Sequence, residues 1–218
     1  MDKLRIVRLQ TAILFVNISL TSRMSGMVVE RQREKLINAI IYFVRNTKHC
    51  HTLKLFKLLN FLDFEHYRQT GRAVTEQKYV AWKQGPAPNA LWHEMQKGGA
   101  ADFQKAILLV AHKDDLTDKL LRREIKPKAA FDKRLFTKRE LEIMERLAFF
   151  FEDLKAEDMS EFSHKQSLPW HKVFARGKGE GREIPAELAL RSEPIIKDVP
   201  TIDSEELQFR KDLLAGVS

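Results

Sequence analysis

The chain has 218 residues, of which 44 % are hydrophobic and 31 % charged, with a formal net charge of +8. This mixture excludes a disordered or fibrous polymer, and the length fits one substantial core with short appendages. Cys50 is the sole cysteine, which excludes an internal disulfide framework and makes a reducing cytoplasm the expected setting.

In chain order, residues 1–26 read as a leader or mis-assigned start lying outside the fold. Thr11–Leu20 is apolar and follows a basic start, but it is too short to span a bilayer and lacks a small-residue cleavage site. No membrane partner is therefore expected. The folded domain is expected over 27–190, and 191–218 reads as a linker and a short helix capped at Ser204. From Glu30 to Arg45, Leu36, Ile40, Phe43 and Val44 recur at helical spacing, with Ile37 and Ile41 widening the stripe. A second helix is predicted from about Thr52 to Thr70. Leu55, Leu58, Leu59 and Leu62 form its apolar face, and Gly71 stands where a C-terminal cap belongs.

Helical period is lost between Val74 and Trp82, which predicts a short strand. Gly85-Pro86-Ala87-Pro88 is expected to stop it in a turn, and Pro88 to open a helix that Gly98-Gly99 ends near Lys97. Lys105–Leu121 has no decisive pattern, and Ile125–Phe136 is compatible with a small hairpin or an extended basic loop. Thr137-Lys-Arg-Glu140 has capping-box spacing and starts the strongest helix, to about Lys155, with Leu141, Met144, Leu147, Ala148 and Phe151 on one side. A further turn is expected near Met159–Lys165. The expected class is mainly α (α+β): a compact helical domain with a short strand or small hairpin.

Charge is distributed in blocks. Residues 117–139 hold nine Lys/Arg against Asp118, Glu124 and Asp132, whereas residues 140–161 hold eight acids against Arg146 and Lys155. Neighbouring blocks of opposite sign satisfy one another or water more readily than a phosphate backbone, so nucleic acid is a disfavoured partner. A regulator binding nucleic acid through the 117–139 segment is kept as an alternative.

Several clusters invite a chemical reading and fall short of one. His49-Cys50-His51 offers three consecutive metal ligands, but adjacent side chains do not converge on one tetrahedral ion. Asp63 and His66 share a helix face and read as a structural pair, with Glu65 pointing elsewhere. Gly177-Lys-Gly-Glu-Gly181 lacks phosphate-loop spacing. The expectation is a protein with no catalytic residues, no metal and no cofactor.

The residues from Lys35 to Met95 carry a resemblance. Lys54-Leu-Phe-Lys57-Leu-Leu-Asn-Phe61-Leu-Asp63-Phe-Glu65-His-Tyr67 is followed by Gly71-Arg72, and then by Lys78-Tyr-Val-Ala-Trp82-Lys-Gln-Gly85-Pro86-Ala-Pro88. This resembles the Panacea domain, also described as the SocA-like or phage-associated GepA domain. Its pattern runs KLxKLLYFxDxExY, then GR, then a short strand entering GPxP. Ser163-His164-Lys165, Pro169-Trp170 and Glu183-Ile184-Pro185 resemble its C-terminal part, so the likeness extends from about Arg31 to Leu190. Asn60 departs from the pattern, standing where an aromatic is common. The resemblance implies an antitoxin of a toxin–antitoxin system that neutralises a cognate toxin, encoded by an adjacent gene, by direct protein–protein contact. It also implies an alternative, an adaptor delivering the toxin to a protease. The motif residues singled out as structural or partner-binding are Lys57, Asp63, Trp82, Gly85, Pro86, Pro88, His164 and Trp170. Tyr67 and Trp92 are the candidate exposed aromatic anchors for a toxin, with Arg122, Arg123, Lys126 and Lys128 steering its approach.

Overall fold

Every residue from Lys54 to Thr70 is buried in a helix spanning Thr52–Thr70, and other described elements pack around it. The structure, a computed structural model, describes residues 30–113, 120–159 and 168–195 and positions 205 and 208, with the backbone alone for 120–122. Helix α1 covers 30–46. It turns Leu36, Ile37, Ala39, Ile40, Ile41 and Phe43 into the core, which is the predicted stripe with Ala39 added and Val44 left half-buried. The all-buried helix is α2. Its left-handed C-cap is Gly71 (φ 71°), whose N–H donates to the Tyr67 carbonyl at 2.7 Å.

Spacing alone gives α2 a single apolar face, and here the structure differs. Helix α5 (Lys138–Phe150), the strand Gly85–Pro88 and a 3-10 turn at Ala186–Arg191 all pack on α2. Its polar residues are therefore covered as well as its leucines. Lys54 shows how such burial is tolerated: its ammonium donates to the carbonyls of Lys48 (2.6 Å), Glu152 (3.0 Å) and Leu154 (2.6 Å), which occupies all three donors.

Strand β1 (Tyr79–Trp82) pairs antiparallel with β2 (Gly85–Pro88). Gly85–Pro88, expected to be a turn that stops the strand, is thus itself a strand, and the reversal is made by Lys83 and Gln84. Register explains why two prolines fit. Pro86 and Pro88 stand opposite Ala81 and Tyr79. The backbone groups of those two residues turn to the other edge of β1: Ala81 N–H donates to Arg182 O (2.9 Å), Gly181 N–H to Ala81 O (2.8 Å) and Ile184 N–H to Tyr79 O (2.8 Å). At Pro86 and Pro88 an N–H would point away from β1, so its absence costs the ladder nothing. Gly85 has φ 124°, a conformation glycine adopts without steric cost.

Helix α3 (Asn89–Gln96) follows Pro88 directly, and Gly98 and Gly99 lie beyond it at φ 90° and 89°. The short α4 (Ala101–Ala106) leads into an antiparallel hairpin of β3 (Ile107–Lys113) and β4 (Leu120–Pro127). That hairpin begins earlier than the Ile125–Phe136 segment considered for one: residues 125–127 are the end of β4, and a 3-10 turn forms at Lys133–Leu135. Helix α5 starts with the predicted box: Thr137 Oγ1 accepts from Glu140 N–H, and the Glu140 carboxylate accepts from Thr137 N–H at 2.7 Å. Helix α6 (Pro169–Phe174) and the Ala186–Arg191 turn complete the described core. The class is mainly α, with two small antiparallel sheets. Of the turn expected near Met159–Lys165, only Met159 is described, and it is helical. The leader over 1–26 and all but two positions of the helix expected after Ser204 lie outside the described residues. Among the described residues no helix is long and apolar enough to cross a membrane.

Candidate functional site

Two buried polar residues of α2 hold the 74–84 segment in place. Lys57 donates to the Gln84 carbonyl at the tip of the β1–β2 hairpin. Burial pulls its ammonium down to about 8. Two turns further on, Asp63 accepts from Val74 N–H (2.9 Å), Thr75 N–H (2.7 Å), the Thr75 hydroxyl and the Tyr79 hydroxyl (2.8 Å). Burial pushes this carboxyl up to about 6, with the donated hydrogen bonds pulling the other way. The Trp170 indole donates to the Trp82 carbonyl at 2.9 Å, and Trp82 packs edge-to-face on Trp92 with centroids 5.2 Å apart. Lys57, Asp63, Trp82, Gly85, Pro86, Pro88 and Trp170 are therefore one assembly clamping the hairpin between α2 and α6. His164, the eighth motif residue, lies outside the described residues.

The pairing expected between Asp63 and His66 is not made. Asp63 faces the 74–79 segment, whereas His66 Nδ1 lies 2.7 Å from the Arg72 carbonyl. The difference arises because the chain leaving α2 folds back along the helix and offers each residue closer partners than the other. Glu65 is likewise engaged: it pairs with Arg68 at 2.5 Å, both groups being buried, and accepts from Gln69 (2.8 Å) and Ile195 N–H (3.1 Å). Cys50 is buried, which pushes its thiol up to about 11 and leaves little thiolate at neutral pH. Among the described residues no His/Cys/Asp/Glu group could hold a metal ion.

The residues that clamp the hairpin also carry the likeness to known proteins. The family model described as "Antitoxin SocA-like, Panacea domain" matches residues 55–171, more than half of the chain. The chain belongs to this antitoxin family. No curated protein and no solved structure matches it. In this Panacea-domain chain the KLxKLL…D…GPxP pattern is a docking code between α2 and the β1–β2 hairpin. Asn60, where the family pattern has an aromatic, is buried beside Phe64 and Trp170, and its amide nitrogen finds no partner among the described residues. One face of the Trp170 pocket is thus left polar and unsatisfied.

The residues put forward as a toxin surface are dispersed. Tyr67 is only 8 % exposed, which corrects its reading as an exposed aromatic: it sits on a helix covered on every side. Trp92 is half-buried against Trp82 and His93. Lys126 and Lys128 are exposed and Arg123 half-buried on or just after β4, and Lys126 is 3.3 Å from Glu124. Arg122 pairs by its backbone with His112. What sequence reasoning missed is at the end of α5, where Phe149 is 84 % and Phe150 53 % exposed. A signal was present, because three consecutive phenylalanines at 100° per residue cannot all reach one core, and Phe151 already fills it.

Proposed function

We propose that this antitoxin-family chain neutralises a toxin by direct protein–protein contact, contributes no chemistry of its own, and acts in the cytoplasm. The observation that carries the reading is the family match over residues 55–171. Support for contact as the means comes from α5. Isolated aromatics exposed to this degree next to one another mark interaction surfaces. Phe149 and Phe150 are flanked along the helix and its exit by the exposed acids Glu142, Glu145, Glu152 and Asp153 and by the exposed Arg146, with Lys48 paired to both Glu152 and Asp153. The surface fits a toxin presenting an apolar pocket with a charged rim, and such a rim speeds encounter more than it raises affinity. Arg123 and Lys126 of the hairpin and Lys128 just after it lie apart from this surface in sequence and would steer a toxin with acidic regions.

Co-expression with the product of an adjacent gene, tested first for toxicity on its own, tests the proposal. The expected result is rescued growth and a complex that co-purifies, with Phe149→Ser/Phe150→Ser losing both while the protein stays folded. Rescue accompanied by falling toxin levels, and dependent on a host protease, replaces occlusion by proteolytic delivery. Rescue with neither a complex nor toxin loss rejects both.

A further inference from the structure

A cleft of about 570 Å³ opens between α1, the residues just after α2 and the start of α5. Four cations line it from three different elements: Arg31 and Lys35 of α1, Arg72 beyond the cap of α2, and Arg139 of α5. The acid in the lining is Glu140, and it is already engaged. One of its oxygens accepts from Lys35 at 2.6 Å and the other from Thr137 N–H at 2.7 Å. Arg72 reaches only Glu76, at 3.9 Å. Arg31 and Arg139 form no ion pair with any described residue. Two guanidiniums, Arg31 and Arg139, therefore share a concave space with no carboxylate partner, beside Arg72 with its single distant contact to Glu76, an arrangement that raises the local potential and concentrates anions.

A second observation lies at the wall of the cleft. His66 is 8 % exposed, and its Nδ1 is 2.7 Å from the Arg72 carbonyl. A carbonyl only accepts, so Nδ1 carries the proton and Nε2 is the titrating atom. Nε2 has no hydrogen-bond partner among the described residues. Burial holds the imidazole below its usual pKa. Lys35 and Arg139 push the same way, whereas the Arg72 carbonyl and Glu140 oppose them. A bound anion would reverse the local sign and let Nε2 take a proton and donate.

We infer that this cleft is a binding site for a small phosphomonoester, with its phosphate held by Arg31, Arg72 and Arg139 beside His66. The charge selects the class: a phosphomonoester carries about −1.5 to −2 at neutral pH, which matches the two unpaired guanidiniums, Arg31 and Arg139, better than a single carboxylate does. Planar guanidiniums also match phosphate oxygens in pairs. The volume selects the size, because about 300–1,000 Å³ is the usual range for a small-molecule site and a bare phosphate leaves most of this cleft empty. The site is separate from the α5 phenylalanines and does not depend on the toxin reading.

The test uses the full chain, with phenyl phosphate, inorganic phosphate and succinate titrated at matched ionic strength in chloride, followed by calorimetry and by the imidazole NMR signals. Phenyl phosphate should bind best and raise the apparent pKa of His66, whose signal is assigned with His66→Gln. Arg31→Gln/Arg139→Gln should weaken binding at least tenfold with an unchanged circular dichroism spectrum, since both side chains are exposed. Lys133→Gln, an exposed cation outside the cleft, should leave it unaltered. Succinate binding as tightly as phenyl phosphate overturns the inference, as does binding of inorganic phosphate alone. So does an affinity indifferent to the two arginines, or a His66 signal that does not move.

Discussion

Helices α2 and α5 pack against each other and distribute their residues in opposite ways. Helix α2 turns lysines, carboxylates and a histidine inward, each met by fixed partners. Helix α5 buries one conventional face, Ile143, Met144, Leu147 and Ala148, and leaves two phenylalanines in water. A buried charge persists only where geometry supplies its hydrogen bonds, so the polar residues of α2 report on how the chain is held together. Phe149 adds little to the isolated fold, and Phe150 keeps about half its surface in water while its ring packs edge-to-face on Phe151, so the residues of α5 that break the usual pattern report on what the molecule meets. The family motif falls on the first helix and the proposed contact surface on the second.

The contrast is broken most directly at Asp63. Replacing it by Ala leaves two backbone N–H groups and two hydroxyls without their acceptor. The expected cost is about 3–5 kcal/mol, read from urea denaturation. A loss within the ordinary range of a surface substitution would mean that water replaces the carboxylate and that α2 is not the clamp described above. Lys57 gives a smaller effect with a definite pH signature. Its folded pKa of about 8 lies below the ordinary lysine value of 10.5, so the unfolded chain binds the proton more tightly between those values. Its contribution should therefore rise as pH increases from about 8 to 10.5 and be lost as pH falls through 8. The difference in midpoint between the protein and Lys57→Met should grow in that direction, and a flat or opposite difference would place the ammonium in solvent. Phe149→Ser should shift stability least, within about 0.5 kcal/mol, although it removes a large apolar side chain. A loss of several times that would show that Phe149 packs on the protein's own surface.

Much of this was readable from the residues. Thr52–Thr70, the Gly71 cap and the Thr137–Glu140 box follow from local rules, since capping groups lie within three or four positions of what they cap. The second strand was not readable, because Gly-Pro-Ala-Pro has the composition of a turn. Only the register against Tyr79–Trp82 shows that the prolines face away from the ladder. For the same reason the partners of Asp63 and His66 were missed: helical spacing places them on one face but says nothing of the segment that folds back over it. The β3–β4 hairpin was misplaced because its strands mix Leu and Val with Arg and Lys at no clean period, as expected where both faces are partly wet. The cleft was invisible since Arg31, Arg72 and Arg139 are spread over more than a hundred positions and belong to no common motif.

The edge of β1 that residues 181–184 occupy has a consequence for how the molecule is made. Helix α2 and the β1–β2 hairpin can form once residue 88 is available, but the far side of β1 stays bare until its last partner, about a hundred residues later, has been translated. At about 5–20 residues per second, that is an interval of roughly 5–20 s in which Tyr79 and Ala81 offer unpaired backbone groups to any other extended segment. Every newly made copy therefore passes through a stage at which a neighbouring nascent chain can compete with its own C-terminal residues. Yield should be more sensitive to synthesis rate and crowding on the ribosome than the finished protein's stability would indicate.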